Sequence, residues 1–172
     1  MTVRNIITVP DPVLRRKSAP VERVDDDIDR LAGDMLETMY EAPGIGLAAI
    51  QLGIERRIVV ADVSREEDEA DPHILFNPSV VWRSDAGAVY SEGCLSVPDQ
   101  YIDVERPARC RIEYIDRRGK PATLDAEGLL ATCLQHEIDH LDGVLMIDYL
   151  SRLKRDIIVR KLAKAKKDQV VA

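Results

Sequence analysis

Aromatic side chains are scarce in this sequence. They make up 4% of its 172 residues, with one Trp, Trp82, and one Phe, Phe76. Neither lies in a basic cluster, so the stacking platforms of a single-strand nucleic-acid binder are missing and a direct DNA role is not expected. The core must therefore be aliphatic. Cysteines are few: Cys94, Cys110 and Cys133 form an odd set with no repeating spacing, which excludes a secreted disulfide framework and points to a reducing, cytoplasmic setting. No apolar run approaches a membrane span. The start, MTVRNIITVPDP, has neither the basic-then-apolar order of a secretion signal nor the Arg- and Ser-rich character of a transit peptide.

What is present suits one domain over 1–172, with 45% hydrophobic and 32% charged residues. The net charge is −7, yet Arg152 to Lys167 holds eight Lys or Arg against one acid, Asp156. That segment is a separate electrostatic object. Ile6 to Arg15, broken by Pro10 and Pro12, reads as a loop-like piece lying over the domain. Asp25 to Tyr40 reads as an amphipathic helix with acids at its positive end. Gly44 to Gln51 reads as a tight loop whose two glycines let backbone approach a ligand. Strands are expected at 57–63, 74–82 and 88–90, with breaks at Asn77-Pro78 and Asp85-Ala86-Gly87. The acidic 64–72 stretch reads as an exposed loop. A hairpin of 110–115 and 122–124 feeds the next helix. Residues 150–167 read as a final helix, with Leu150, Leu153, Ile157, Ile158 and Leu162 along one side.

The chain is organised around Leu129 to Gly143, LLATCLQHEIDHLDG. His136 and His140 are spaced one helical turn apart on one face, so both imidazoles can reach one metal ion, and Glu137 stands ready to act on water there. Asp125 is a candidate N-cap, and Gly143 suits the left-handed position past the C-terminus. Two buried histidines bonded to backbone are the plain alternative. Against it, the chain has only three histidines and two are here. A catalytic site needs a third protein ligand and an open position. Cys94, between a glycine and a proline-ended turn in EGCLSVP, could supply that ligand. Cys110 in a strand pattern and Cys133 on the helix face suit buried, inert thiols.

Three segments in order, GIGLAAIQ (44–51), EGCLS (92–96) and QHEIDHLDG (135–143), resemble the motifs of peptide deformylase. PDPVLR near the start and the basic terminal helix extend the similarity over nearly the whole chain. The resemblance implies an α+β fold with antiparallel β-sheets wrapped around a central metal-binding helix, flanked by an N-terminal and a C-terminal helix. It implies a bacterial enzyme that removes the formyl group from the N-terminal methionine of nascent polypeptides. Cys94, His136 and His140 would hold Fe2+, with Zn2+, Ni2+ or Co2+ able to take its place. Ligand chemistry alone favours zinc. Glu137 would move the proton, while the Gln51 amide and the Leu95 backbone N–H would hold the formyl oxygen. Ile45 and Gly46 would pair with the substrate main chain.

Specificity needs an apolar slot. Leu129, Thr132 and Cys133 lie one turn before His136 and, with Ile45, offer one, flanked by Gly93. Glu92 is expected to pair with Arg106 and steady Gln51. The basic helix would dock on the ribosome near the exit tunnel, as similar deformylases do. The rival readings are an H-E-x-x-H peptidase, whose third ligand would lie downstream of the helix, and a metal-stabilised binding module, which would need a fourth ligand.

Overall fold

A computed structural model describes residues 2–65 and 67–171; Glu66, within the acidic loop, and the two end residues lie outside the described set. The first long element is α1 (Asp26–Glu41), capped by Asp25, whose carboxylate accepts from the Ile28 N–H at 3.0 Å. Its apolar stripe buries Ala32, Met35 and Met39 against strands β1 (Gly46–Ala48) and β2 (Ile58–Ala61). Here the glycine segment departs from the loop expected of it. Leu47 and Ala48 face Val60 and Val59 in an antiparallel ladder, and Ala49–Leu52 then tightens into a 3-10 turn.

β3 (His73–Arg83) runs through Asn77-Pro78, which is a bulge and not a break. Asn77 takes a φ of 52°, and its side-chain amide ties the bulge to the N-terminal segment by accepting from the Val21 N–H and donating to the Val21 carbonyl. β4 (Gly87–Cys94) is longer than the expected 88–90 strand and pairs with β5 (Val97–Pro107) in a two-stranded sheet. The sequence reading saw only a turn where β5 lies. Its period is legible in retrospect: Ile102, Val104 and Arg106 are buried, with polar residues between them. β6 (Arg109–Ile115) and β7 (Pro121–Glu127) form the expected hairpin, completing a five-stranded sheet in the order β1-β2-β3-β6-β7.

Helix α2 (Gly128–Leu141) packs against strands of both sheets and is buried except near its start and at Asp139. The expected cap is wrong: Asp125 belongs to β7, where Arg111 across the hairpin holds its carboxylate at 2.7 Å, leaving it unavailable to α2. The helix ends as expected. Gly143 has φ +75°, and a Cβ there would collide with the Arg15 carbonyl.

After a 3-10 turn at Met146–Tyr149 comes α3 (Arg152–Val171). Leu162 is buried, and Leu150, Ile158 and Val159 pack on the second cluster of the core, with Val97, Ile102 and Val104. Leu153 and Ile157, read as part of the packed side, instead face solvent at 72% and 56% exposure, because only the Ile158–Leu162 edge meets β5. None of the described helices is long and apolar enough to cross a membrane.

Candidate metal centre

Two elements meet at the site. α2 brings His136 and His140 with their ring centroids 5.0 Å apart, and the β4–β5 turn delivers Cys94. One ligand atom from each of the three lies within 4.8 Å of the others. Cys94 Sγ is 3.4 Å from His140 Nε2. The donor set, one soft sulfur and two imidazoles converging from a buried wall, fits a transition metal and leaves a fourth direction open.

Of the two imidazoles only His136 is held from behind, since His140 Nδ1 is buried with no hydrogen-bond partner among the described residues. His136 Nδ1 lies 2.7 Å from Glu92 Oε1, and with the proton on Nδ1 the Nε2 lone pair faces Cys94. Glu92 is itself buried and receives both Nε and Nη2 of Arg106, at 2.7 and 3.0 Å. Burial pushes its carboxyl up, but the bonds from His136 and Arg106 outweigh this and hold it below its ordinary value. Burial drives the His140 imidazole well below its ordinary value, and the nearby positive charges add to the effect. A neutral imidazole is the form that ligates. At His136, burial also opposes the charged form, but bonds with Cys94 and Glu92 prevail and raise it.

Glu137 lies at the edge of this cluster, its Oε1 4.0 Å from His136 Nε2. Its Oε2 is buried with no hydrogen-bond partner among the described residues. Burial pushes this carboxyl up to about 7, against the pull of His136 and Arg106. A proton can therefore be gained or lost near neutral pH.

Gly46 is required where it stands. A Cβ at this position would come within 2.6 Å of Glu137 Oε1 and 2.7 Å of Cys133 Sγ, so β1 runs against the Glu137 carboxylate only because the side chain is missing. Gln51 is buried, its Oε1 accepting from the Ala48 N–H at 2.8 Å. Its Nε2 donates to Ser96 Oγ at 3.1 Å and lies 3.8 Å from Cys94 Sγ. Ser96, not Glu92, steadies Gln51; Glu92 is already committed to Arg106 and His136. Leu95 lines the cleft beside Cys94.

A small cavity of about 80 Å3 opens beside His136 and Glu137. Ile45, Glu92, Gly93, Leu129, Thr132 and Cys133 all line it. Burial pushes the Cys133 thiol well up, which suits a neutral wall. Cys110 is buried away from the centre, in the first core cluster.

A model of the polypeptide deformylase family matches residues 3–156. The chain belongs to the peptide deformylase family. A peptide deformylase of Rhizobium meliloti is 60% identical over 97% of this chain and 96% of its own. One from Agrobacterium fabrum is 56% identical over 99% and 100%. The crystal structure of the Ehrlichia chaffeensis peptide deformylase superposes with a TM-score of 0.93 at 40% identity, covering 98% of this chain and 99% of that one. As a peptide deformylase it is a metalloenzyme, and the motif residues Gly46, Gln51, Cys94 and His136 are brought together by four separate elements.

The network behind the ligands went unread in the sequence beyond Glu92 and Arg106. Arg106 Nη1 donates to Asp139 at 2.8 Å and lies 3.2 Å from the Tyr149 hydroxyl, which itself donates to Asp139 at 2.7 Å. An arginine in the inward register of β5 was its one available signal.

Proposed function

We propose that this chain removes the N-formyl group from the N-terminal methionine of newly made polypeptides, releasing formate. The observation that carries this reading is the convergence of Cys94, His136 and His140 beside the buried Glu137 in a chain of this family. An Fe2+ ion held by those three residues would supply Lewis acidity, acidifying water from a pKa of about 16 toward about 7. Iron follows the resemblance; the donors also suit Zn2+, Ni2+ or Co2+.

The chain's own residues do the rest. Glu137 accepts a proton from the attacking water as its oxygen adds to the formyl carbon. Negative charge grows on the formyl oxygen, where the Gln51 Nε2 N–H that faces Cys94 Sγ at 3.8 Å turns to donate, together with the backbone N–H of Leu95. As the carbon–nitrogen bond breaks, Glu137 returns the proton to the departing amine. Ile45 and Gly46 hold the substrate main chain as an added strand would. The methionine side chain enters the cavity of Leu129, Thr132, Cys133 and Gly93. A peptidase is disfavoured because the third ligand comes from Cys94, upstream of the helix.

In this reading residues 1–172 work as one domain in the bacterial cytoplasm, where the three free cysteines stay reduced. The exposed basic residues of α3 dock on the phosphate-rich ribosome near the polypeptide exit. Mass spectrometry of a formyl-Met peptide incubated with the protein tests the activity. The expected product is the deformylated peptide, with Glu137→Gln slower by roughly 100- to 10,000-fold. An unchanged peptide with the metal-loaded wild type, or near-normal turnover by the variant, would refute the reading.

A further inference from the structure

The segment from Thr2 to Val9 is an extended strap tied down at several points. On α1, the Asp34 carboxylate accepts from the Thr2 N–H at 2.8 Å and from Nε and Nη2 of Arg4 at 3.1 and 2.8 Å, while the Arg4 N–H donates to Thr38 Oγ1 at 2.9 Å. The strap then reaches the site. The Ile7 N–H donates to the Gln51 carbonyl at 2.7 Å, and the Val9 N–H donates to the Ser96 carbonyl at 2.9 Å. It therefore laces the turn that carries Gln51 to the β4–β5 turn that follows Cys94.

Beside these backbone bonds runs a chain of side-chain bonds with a fixed direction. Ser96 is fully buried, and its hydroxyl donates to the Ile7 carbonyl at 2.7 Å. A hydroxyl has one proton, so Ser96 Oγ turns only lone pairs toward Gln51, and the NH2 end of the amide alone can bond it, at 3.1 Å. At the other end the Ala48 N–H can only donate, and Gln51 Oε1 accepts from it at 2.8 Å. Both neighbours reject the flipped amide. One Nε2 proton is committed to Ser96, and the second lies on the side of Cys94 Sγ, 3.8 Å away.

We propose that Ser96, aimed by the Ile7 carbonyl, is a positioning residue for deformylation: it holds the Gln51 amide so that the second N–H is directed at the developing oxyanion. This rests on the deformylase reading above. Held by Ala48 alone, the amide would pivot about a single bond, and a donor that must reorient as charge appears stabilises that charge less. Removing an oxyanion donor outright costs about 100- to 1,000-fold in kcat. Loosening one costs less, about tenfold, and the loss falls on kcat more than on KM, because the charge it answers exists only in the transition state.

The test measures kcat and KM for formate release from formyl-Met-Ala-Ser by wild type, Ser96→Ala, Gln51→Ala and the double variant, each loaded to equal metal content. Ser96→Ala should lower kcat about tenfold and move KM less than about twofold. In the Gln51→Ala background the same substitution should change nothing, since the group it positions is gone. The zinc-loaded wild type gives a reading that needs no variant to fold: by NMR the Ser96 hydroxyl proton should exchange slowly with water and lie close in space to a Gln51 NH2 proton. Wild-type kcat in Ser96→Ala, an equal loss in both backgrounds, or a Ser96 hydroxyl proton in rapid exchange overturns the inference while leaving the activity standing. No formate from the metal-loaded wild type overturns the deformylase reading itself.

Discussion

His136 and Tyr149 are joined through one guanidinium. Arg106 binds Glu92, which binds His136 Nδ1, while its other nitrogen meets Asp139 and the Tyr149 hydroxyl, with the Arg106 carbon 4.8 Å from the centre of the Tyr149 ring. The segment leading into the basic helix is thus hydrogen-bonded to the scaffold of a metal ligand. Glu92→Gln keeps the shape but weakens the acceptor for His136 and loosens the fork to Arg106. Metal release to a chelator should then be about 10- to 100-fold easier, as for other partners behind metal ligands. Co2+ or Zn2+ competition measures it, and unchanged affinity would remove Glu92 from the role.

The ligand assignment predicts a ranking among the thiols. Cys94→Ser should weaken metal binding or redirect it to another ion, because an alcohol is a harder donor than a thiolate. Cys110→Ser lies outside the centre and should leave metal content unchanged. Elemental analysis with the reverse ranking would dismiss the Cys94 assignment.

Acid stability should report Asp148. Burial raises its carboxyl, but bonds from Arg15 and the Leu145 N–H outweigh this and hold it below its ordinary 3.8. A carboxyl depressed on folding contributes stability above its unfolded value, and the contribution fades as pH falls from 3.8 through the folded value. Urea midpoints of wild type and Asp148→Asn should therefore differ at pH 6 and draw together below 3.8. A constant gap would mean that the charge on Asp148 contributes nothing.

The basic helix predicts a separable function. Deleting residues after Leu162 removes Lys164, Lys166 and Lys167, all exposed, while keeping the buried Leu162 anchor. Ribosome co-sedimentation at low salt should drop, with turnover of a short formyl-peptide nearly intact. Equal co-sedimentation of both proteins would sink the docking role.

What the sequence determined by itself is the part of the site that is local. His136 and His140 share a face because helix geometry places residues four apart one turn from each other, so the ligand pair was legible before any fold. The β6–β7 hairpin and the glycine past α2 were legible for the same reason: turn chemistry acts over a few residues. The three motifs, taken together and in order, identified the family.

Only the tertiary structure decided what depends on residues far apart. Whether Glu92 meets Gln51 or His136 turns on where β4 passes α2, a relationship spanning 44 positions. Leu153 and Ile157 have the same helical spacing as buried residues, yet β5 meets only one edge of α3, so periodicity could not tell the packed side from the open one. Gly46 was legible as a place for close approach; that the neighbour is Glu137 depended on β1 docking beside α2. Side-chain period is a property of one element, whereas burial and partnership are properties of two, and only their packing fixes which faces meet.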